Sequence, residues 1–302
     1  MPASESIWLP VDVDPSEQDV DEPMGTKDKF WIERESHRWL VKLCRVVDGE
    51  TRGEDWAEWL VHRLATLLGV PTAVTEPALV HLPTGSRRGI ASLDIRDERG
   101  LRLVHGNELL AEADPRYEPD VQRGNPRYTV AAVKNALAGV SAPLGVAEEV
   151  RDAFDAWAGY LVLDAWVAGR DRHHENWAVV RTARMARLVP SFDHGNALGF
   201  QVTDDAVERL STDADALARW VRRGRSHHFA DRPELVVLAQ EALGLATREA
   251  RDYWLRQVAS VRASDVRSLV AAVPTELVSE ARGTFITSLL EINRRRLTGG
   301  DS

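Results

Sequence analysis

The sequence predicts an α+β chain in two lobes, a small β-rich N-lobe with one main helix followed by a larger, mostly helical C-lobe. Two patterns carry this. Between residues 30 and 104 the apolar residues fall in short runs cut by Gly85, Gly89 and Gly100, as strands and tight turns do, and a single helical stripe interrupts them. Beyond Asn107 the apolar spacing becomes helical and stays so nearly to the C-terminus. The expected boundaries are an acidic flexible leader at 1–24, an N-lobe at 25–104 and a C-lobe at 105–302.

Asp12, Asp14, Glu17, Asp19, Asp21 and Glu22 stand among prolines at the start, so the leader is expected to be extended and mobile. Phe30-Trp31-Ile32-Glu33 and Arg38-Trp39-Leu40-Val41-Lys42-Leu43 read as strands joined by polar Arg34-Glu35-Ser36-His37, which predicts a hairpin. From Glu54 to Leu68, Trp56, Leu60, Leu64 and Leu67 form a stripe that Trp59, Val61 and Leu68 widen. That helix should stop at Gly69, with Pro71 beyond. Runs near Ala78–His81, Ile90–Ile95 and Leu101–Val104 add short strands to the small lobe. In the second lobe helices are expected at 129–138, 146–168, 205–223, 233–243, 247–261, 263–272 and 275–296. Trp177–Val180 and Leu188–Pro190 break the series as a small hairpin.

At 302 residues and 44% hydrophobic composition the chain can bury a substantial core. Its formal charge of −9 argues against direct DNA binding and against an anionic membrane partner, because neutralising phosphates requires a basic face. Cys44 is the single cysteine, so neither an intrachain disulfide nor a Cys-rich zinc site can form, and a reducing cytoplasm fits. No stretch approaches the ~18 apolar residues of a membrane helix, and the N-terminus lacks the pattern of a signal peptide. Arg219, Arg222, Arg223, Arg225, His227 and His228 make the one basic cluster. It is either a solvated helix end balanced by Asp213 and Asp215, or a docking patch for an acidic substrate or RNA.

Chemistry concentrates in Asp171-Arg172-His173-His174-Glu175-Asn176 and in Asp193-His194-Gly195, separated by the expected hairpin. A carboxylate followed five residues on by an amide, with a second carboxylate after the next strand, is how kinase-like enzymes present a general base and two metal ligands. Spacing alone is weak, since Asp120-Val121-Gln122-Arg123-Gly124-Asn125 repeats it in an expected loop. The copy at Asp171 differs because a long helix, Ala153 to Ala168, delivers it at Gly169 and a hairpin follows. Asp171 can accept a hydroxyl proton, and Asn176 and Asp193 supply the oxygen ligands that suit Mg²⁺. Arg172 could orient the loop or contact phosphate, Trp177 could wall the metal site, and His173 and His174 are expected to be structural.

Upstream, Lys42 ends an apolar strand, where an ammonium needs an anion, and Glu58 follows on the edge of the helix stripe. Gly25-Thr26-Lys27-Asp28-Lys29 could lay backbone N–H groups and a lysine over a polyphosphate. No P-loop, G-x-G-x-x-G, G-x-S-x-G or H-E-x-x-H motif occurs. Alternatives are a metal-dependent hydrolase using Asp171, His173, His174, Asp193 and His194, and a nucleotide-binding pseudokinase scaffold that transfers nothing.

Gly25 to Lys29, Trp39-Leu40-Val41-Lys42, Glu58 ahead of Leu67-Leu68-Gly69-Val70-Pro71, Asp171 to Asn176, and Asp193 together resemble the HipA-like serine/threonine kinases of bacteria. The resemblance spans roughly residues 22–200. It implies a two-lobed kinase fold, transfer of the γ-phosphoryl group of ATP to a protein hydroxyl, Lys42 on the phosphates, Asp171 as base, and Asn176 and Asp193 on Mg²⁺. Gly25, Thr26 and Lys29 would cover the nucleotide, and the adenine would lie near Ser92–Asp94. A protein substrate and an antitoxin or regulatory protein are the implied partners. The same loops are similar to those of phosphoinositide kinases, which keeps a lipid or small-molecule acceptor as the runner-up. Two departures stand out. Full-length HipA toxins have an extra N-terminal domain where only the acidic leader is expected here, so antitoxin binding through it is not carried over. Asp21, Glu22 and Pro23 stand where the family has a self-phosphorylated serine.

Overall fold

The computed structural model describes residues 7–21, 28–96 and 101–300. Strands β1 (Val11–Val13), β2 (Gln18–Asp21), β3 (Lys29–Arg34) and β4 (His37–Leu43) come first, then a minimal ribbon of β5 (Val46–Val47) and β6 (Glu50–Thr51). Helix α1 (Glu54–Leu68), β7 (Thr75–Leu82) and β8 (Gly85–Leu93) complete the small lobe. Its six-stranded sheet runs β1-β7-β8-β4-β3-β2. The expected β3–β4 hairpin forms, turning through Glu35 and Ser36 at φ 51° and 64°, the mirror-image turn whose twist matches the strands. Helix α1 keeps its expected bounds and closes on Gly69, whose φ of 70° is a left-handed cap.

Residues 11–13 and 18–21 of the acidic leader belong to the sheet, contrary to the expectation of a mobile segment. Strand β1 runs parallel to β7, with Val11, Asp12 and Val13 opposite Ala78, Leu79 and Val80, and β2 pairs with β3. Val13 is buried in the cluster that Phe30, Ile32, Val41 and Val80 form on one face of the sheet, and Trp8 meets Trp59 edge-on at 5.4 Å. Two valines at period two outweigh the surrounding carboxylates, whose side chains can alternate toward solvent.

Strand β9 (Arg102–His105) also departs from expectation. It pairs with β10 (Ala178–Arg181) and so belongs to a three-stranded sheet with β11 (Ala186–Leu188). Both edges of β8 are already taken by β4 and β7, so the next strand has no ladder to extend there. The expected boundary at 104 therefore cuts through β9, whose partner strand is β10.

The larger lobe holds α2 (Gly106–Ala113), α3 (Val130–Ala136), α4 (Ala153–Val167), α5 (Asp204–Thr212), α6 (Ala214–Arg222), α7 (Leu235–Leu245), α8 (Arg248–Ser260), α9 (Ala263–Ala271) and α10 (Glu280–Thr298). Helix α2 has no counterpart in the sequence reading. The pattern at 205–223 splits at Asp213, whose extended backbone and side chain cap α6 on Ala216 N–H. The pattern at 146–168 starts only at Ala153, where Asp152 accepts from Asp155 N–H at 2.9 Å. Every residue of α4 is buried, and it packs against α7 and α10. Among the described residues no helix is long and apolar enough to cross a membrane.

Gly106 starts α2 against Trp177, and a Cβ there would meet the indole at 2.2 Å and the His174 carbonyl at 2.5 Å. Gly106→Ala should therefore destabilise the protein by about 1–3 kcal/mol, the scale of overpacking, read as a lower urea midpoint at unchanged slope. His62 on α1 bonds Thr72 Oγ1 at 2.7 Å. Burial, with Arg63 beside it, holds its imidazole neutral down to about 4 against the usual 6.5. The unfolded chain thus binds a proton there that the native state refuses, so this contribution is intact above pH 6.5 and lost as pH falls toward 4. Urea unfolding at pH 7.5 and pH 5 should show the loss, and His62→Gln should shrink the difference.

Candidate active site

Period two along β4 sends Val41 and Leu43 into the cluster on one face and Lys42 to the other, where α1 lies. There the Lys42 ammonium is 3.5 Å from Glu58 Oε1 and 3.0 Å from Asp193 Oδ1. Burial alone would depress this lysine. The Asp193 and Glu58 carboxylates more than offset it, leaving Lys42 above its usual value and fully charged. Lys29 stands directly opposite Lys42 in the β3–β4 register.

The Asp171 loop leaves α4 through Ala168, which takes a left-handed conformation at φ 56°. The expected turn at Gly169 thus begins one residue early, and Gly169 N–H closes it on the Asp164 carbonyl at 2.8 Å. Arg172 then folds back onto α4. Its Nε and Nη2 donate to the two oxygens of Asp164 at 2.7 and 2.8 Å, and its Nη1 donates to the Asn176 carbonyl at 2.7 Å. The Asn176 amide donates to the Asp171 carbonyl at 2.8 Å, which leaves Oδ1 as its acceptor atom. Asp171, Asn176, Asp193 and Asn196 line one small cavity with Arg172 and His194 behind them.

Asp193 follows β11 with φ 61°, a left-handed conformation that a non-glycine residue adopts only where its surroundings enforce it. Gly195 brings the chain against α1, where a Cβ would lie 3.3–3.4 Å from Glu54 and from Glu58 Oε2. Ser191 ties the segment to the small lobe, donating to the Pro71 carbonyl and accepting from Ala73 N–H. Lys42, Glu58, Asp171, Asn176 and Asp193 are thus brought together from β4, α1 and two loops of the larger lobe.

Other predicted residues fall elsewhere. Gly25 and Thr26 lie outside the described residues. Ser92 is buried near the end of β8, and Asp94 just beyond it is clasped by Arg96. Trp177 does not wall the cavity; it is buried in the core, donating to Tyr128 Oη and packed against Trp157. His174 turns away too, its Nδ1 hydrogen-bonded with Tyr117 Oη at 2.6 Å, and His194 is bonded to Ser191 Oγ. The five ligand types of a hydrolase are therefore not gathered around one point. Among the described residues no group of three or more His, Cys, Asp or Glu side chains could hold a metal ion, so a cation here would rest on Asn176 and Asp193 with substrate oxygens. The copy at Asp120–Asn125 is a loop, and Asn125 is spent on bracing it through Glu118 and Arg127.

Two residues were missed. Asp164 is the lone carboxylate amid Tyr160-Leu161-Val162-Leu163 and Ala165-Trp166-Val167, and a charge in so apolar a helix demands a buried partner. His228, assigned from sequence to the basic cluster, is instead buried with Nε2 2.7 Å from Asp171 Oδ1. Nothing local in the sequence signals that contact. Burial would raise Asp171, yet the bond and charge of His228 and the nearby His173 hold its carboxyl below the usual range.

The fold and this arrangement define a two-lobed, kinase-like α+β protein. It resembles the proinflammatory kinase CtkA of Helicobacter pylori, at 15% identity and a TM-score of 0.69 over 96% of each chain. It also resembles the HipA toxin of Shewanella oneidensis MR-1, solved with HipB and operator DNA, at 12% identity and a TM-score of 0.55. That match covers 91% of this chain and 64% of the other. No family model and no curated protein matches the sequence. At these identities the likeness is one of fold, and it agrees with the HipA-like resemblance read from the motifs.

Arg172→Met should remove one partner of a fully buried ion pair and cost about 3–5 kcal/mol, because Asp164 is left charged without a cation. Urea unfolding measures it. The double variant Arg172→Met, Asp164→Leu should recover part of that loss.

Proposed function

We propose that the chain is an ATP- and Mg²⁺-dependent kinase that transfers the γ-phosphoryl group to a serine or threonine hydroxyl of a protein. The observation that carries this is the convergence of Lys42, held by Glu58 and Asp193, on a cavity lined by Asp171 and Asn176. Phosphoryl transfer is mostly positioning and charge neutralisation, and this set supplies both. Lys42, oriented by Glu58, holds the α- and β-phosphates, and Lys29 across the strand pair adds a second cation on the same face. Asn176 Oδ1 and Asp193 would hold Mg²⁺, which would supply charge neutralisation at the phosphate oxygens. Asp171 takes the proton of the acceptor hydroxyl as its oxygen bonds to phosphorus and the β–γ bridging bond breaks. The adenine lies along the Ser92–Asp94 strand end, where the Asp94 side chain, bound to Arg96, braces that segment rather than the base.

A protein acceptor is preferred to a lipid because the net charge of −9 opposes an anionic membrane surface. Asp193→Ala should abolish Mg²⁺-dependent ATP turnover, and Asp171→Asn should slow transfer by roughly 10²-fold while ATP with Mg²⁺ still raises the melting temperature. Wild-type activity in both variants would remove the assignment. Stabilisation by a transition metal alone, with none from ATP and Mg²⁺, would favour the hydrolase.

A further inference from the structure

The loop after α6 reaches the site from behind. Its His228 ring is 2% exposed, with Nδ1 2.8 Å from the Gln122 carbonyl and Nε2 2.7 Å from Asp171 Oδ1. A carbonyl only accepts, so Nδ1 must carry a proton. Nε2 then faces a carboxylate oxygen at hydrogen-bond distance, and two lone pairs cannot meet there. One further proton must therefore lie between Nε2 and Oδ1.

We propose that His228 is a positioning residue for phosphoryl transfer: a ring protonated on both nitrogens, clamped between the Gln122 carbonyl and Asp171, that leaves Oδ2 of Asp171 to the acceptor hydroxyl. This rests on the reading of Asp171 as the base. Carboxylate rotation would otherwise offer either oxygen, and fixing one removes that freedom before the substrate arrives. The loop is built to hold the ring. Ser226 Oγ accepts from the N–H groups of His228 and Phe229, Phe229 stacks on Tyr128 at 4.2 Å, and Ala230 N–H donates to the Tyr128 carbonyl. Tyr128 Oη in turn donates to the Arg172 carbonyl, so His228 and Asp171 are fixed to one frame. Asp231 and Arg232 close the loop with consecutive positive φ values of 61° and 46°, a conformation that ordinary residues keep only under constraint.

Two measurements decide it. In ¹⁵N spectra of the nucleotide-free wild-type protein near pH 7, both ring nitrogens of His228 should appear protonated, and a single neutral tautomer would overturn the proposal without reference to activity. In kinetics, His228→Ala should lower kcat roughly 10- to 100-fold, the scale of a misplaced catalytic group, with KM for ATP and the thermal shift by ATP and Mg²⁺ changed less than about twofold. His228→Gln, whose amide can still donate to Asp171, should recover part of kcat. In an Asp171→Asn background, His228→Ala should have no further effect, because the two act as a unit. Full kcat in His228→Ala, or losses that multiply in the double variant, would refute it. Absence of phosphoryl transfer by the wild type would instead remove the proposed function, with the spectra still reporting the contact.

Discussion

The buried pair of Arg172 and Asp164 is the contact on which the larger lobe's half of the site depends. Burying two charges is unfavourable unless geometry and extra hydrogen bonds compensate, and here the guanidinium uses both oxygens of Asp164 and then the Asn176 carbonyl. An apolar pair could fill the same space and recover part of the stability. It could not dictate where Asp171 and Asn176 point, because only a directional fork on a rigid, fully buried helix fixes a loop in both translation and rotation. His194, the neighbour of Asp193 in the chain, is buried beside this pair with Nε2 3.0 Å from Ser191 Oγ.

The small lobe solves the complementary problem of charge. Lys42 would lose its proton or its burial without Glu58 and Asp193, and Asp193 keeps a strained backbone beside it. Gly195 lets α1 approach closely enough for Glu58 to share the ammonium. On the proposed reading, a polyphosphate entering this site would meet a lysine already ionised and oriented, so binding energy would not be consumed in charging it.

Much of this was legible in the sequence, for reasons that differ by residue. Strand period and a left-handed glycine cap are local properties, so the β3–β4 hairpin, α1 and the place of Lys42 follow from a few neighbours. The convergence of Glu58 and Asp193 on Lys42 was readable because the order and spacing of the three follow a kinase-like pattern. What stayed hidden depends on partners distant in the chain. The fate of β9 turns on β8 having no edge left, and that of residues 11–13 on strand β7, 67 residues further along, being ready to accept Val13. His228 lies among arginines in the sequence and beside Asp171 only in space. Asp164 is the intermediate case, since an isolated carboxylate in an apolar helix announces that a partner exists without naming it.

The lowered basicity of Asp171 bears on the kind of transition state this site would favour. A strong base would take the hydroxyl proton early and suit an attacking alkoxide. On the proposed reading, a carboxylate already satisfied by His228 would take it late, after the bond to the leaving group has largely broken. That order matches a loose phosphoryl transfer, in which the acceptor needs alignment more than activation. The residues that matter then are those that hold direction, and in this fold they form one connected set: Asp164 to Arg172, Arg172 to Asn176, Asn176 to Asp171, and Asp171 to His228. If Asp171 is the base, the proton's destination would be fixed by the same hydrogen bonds that fix the geometry.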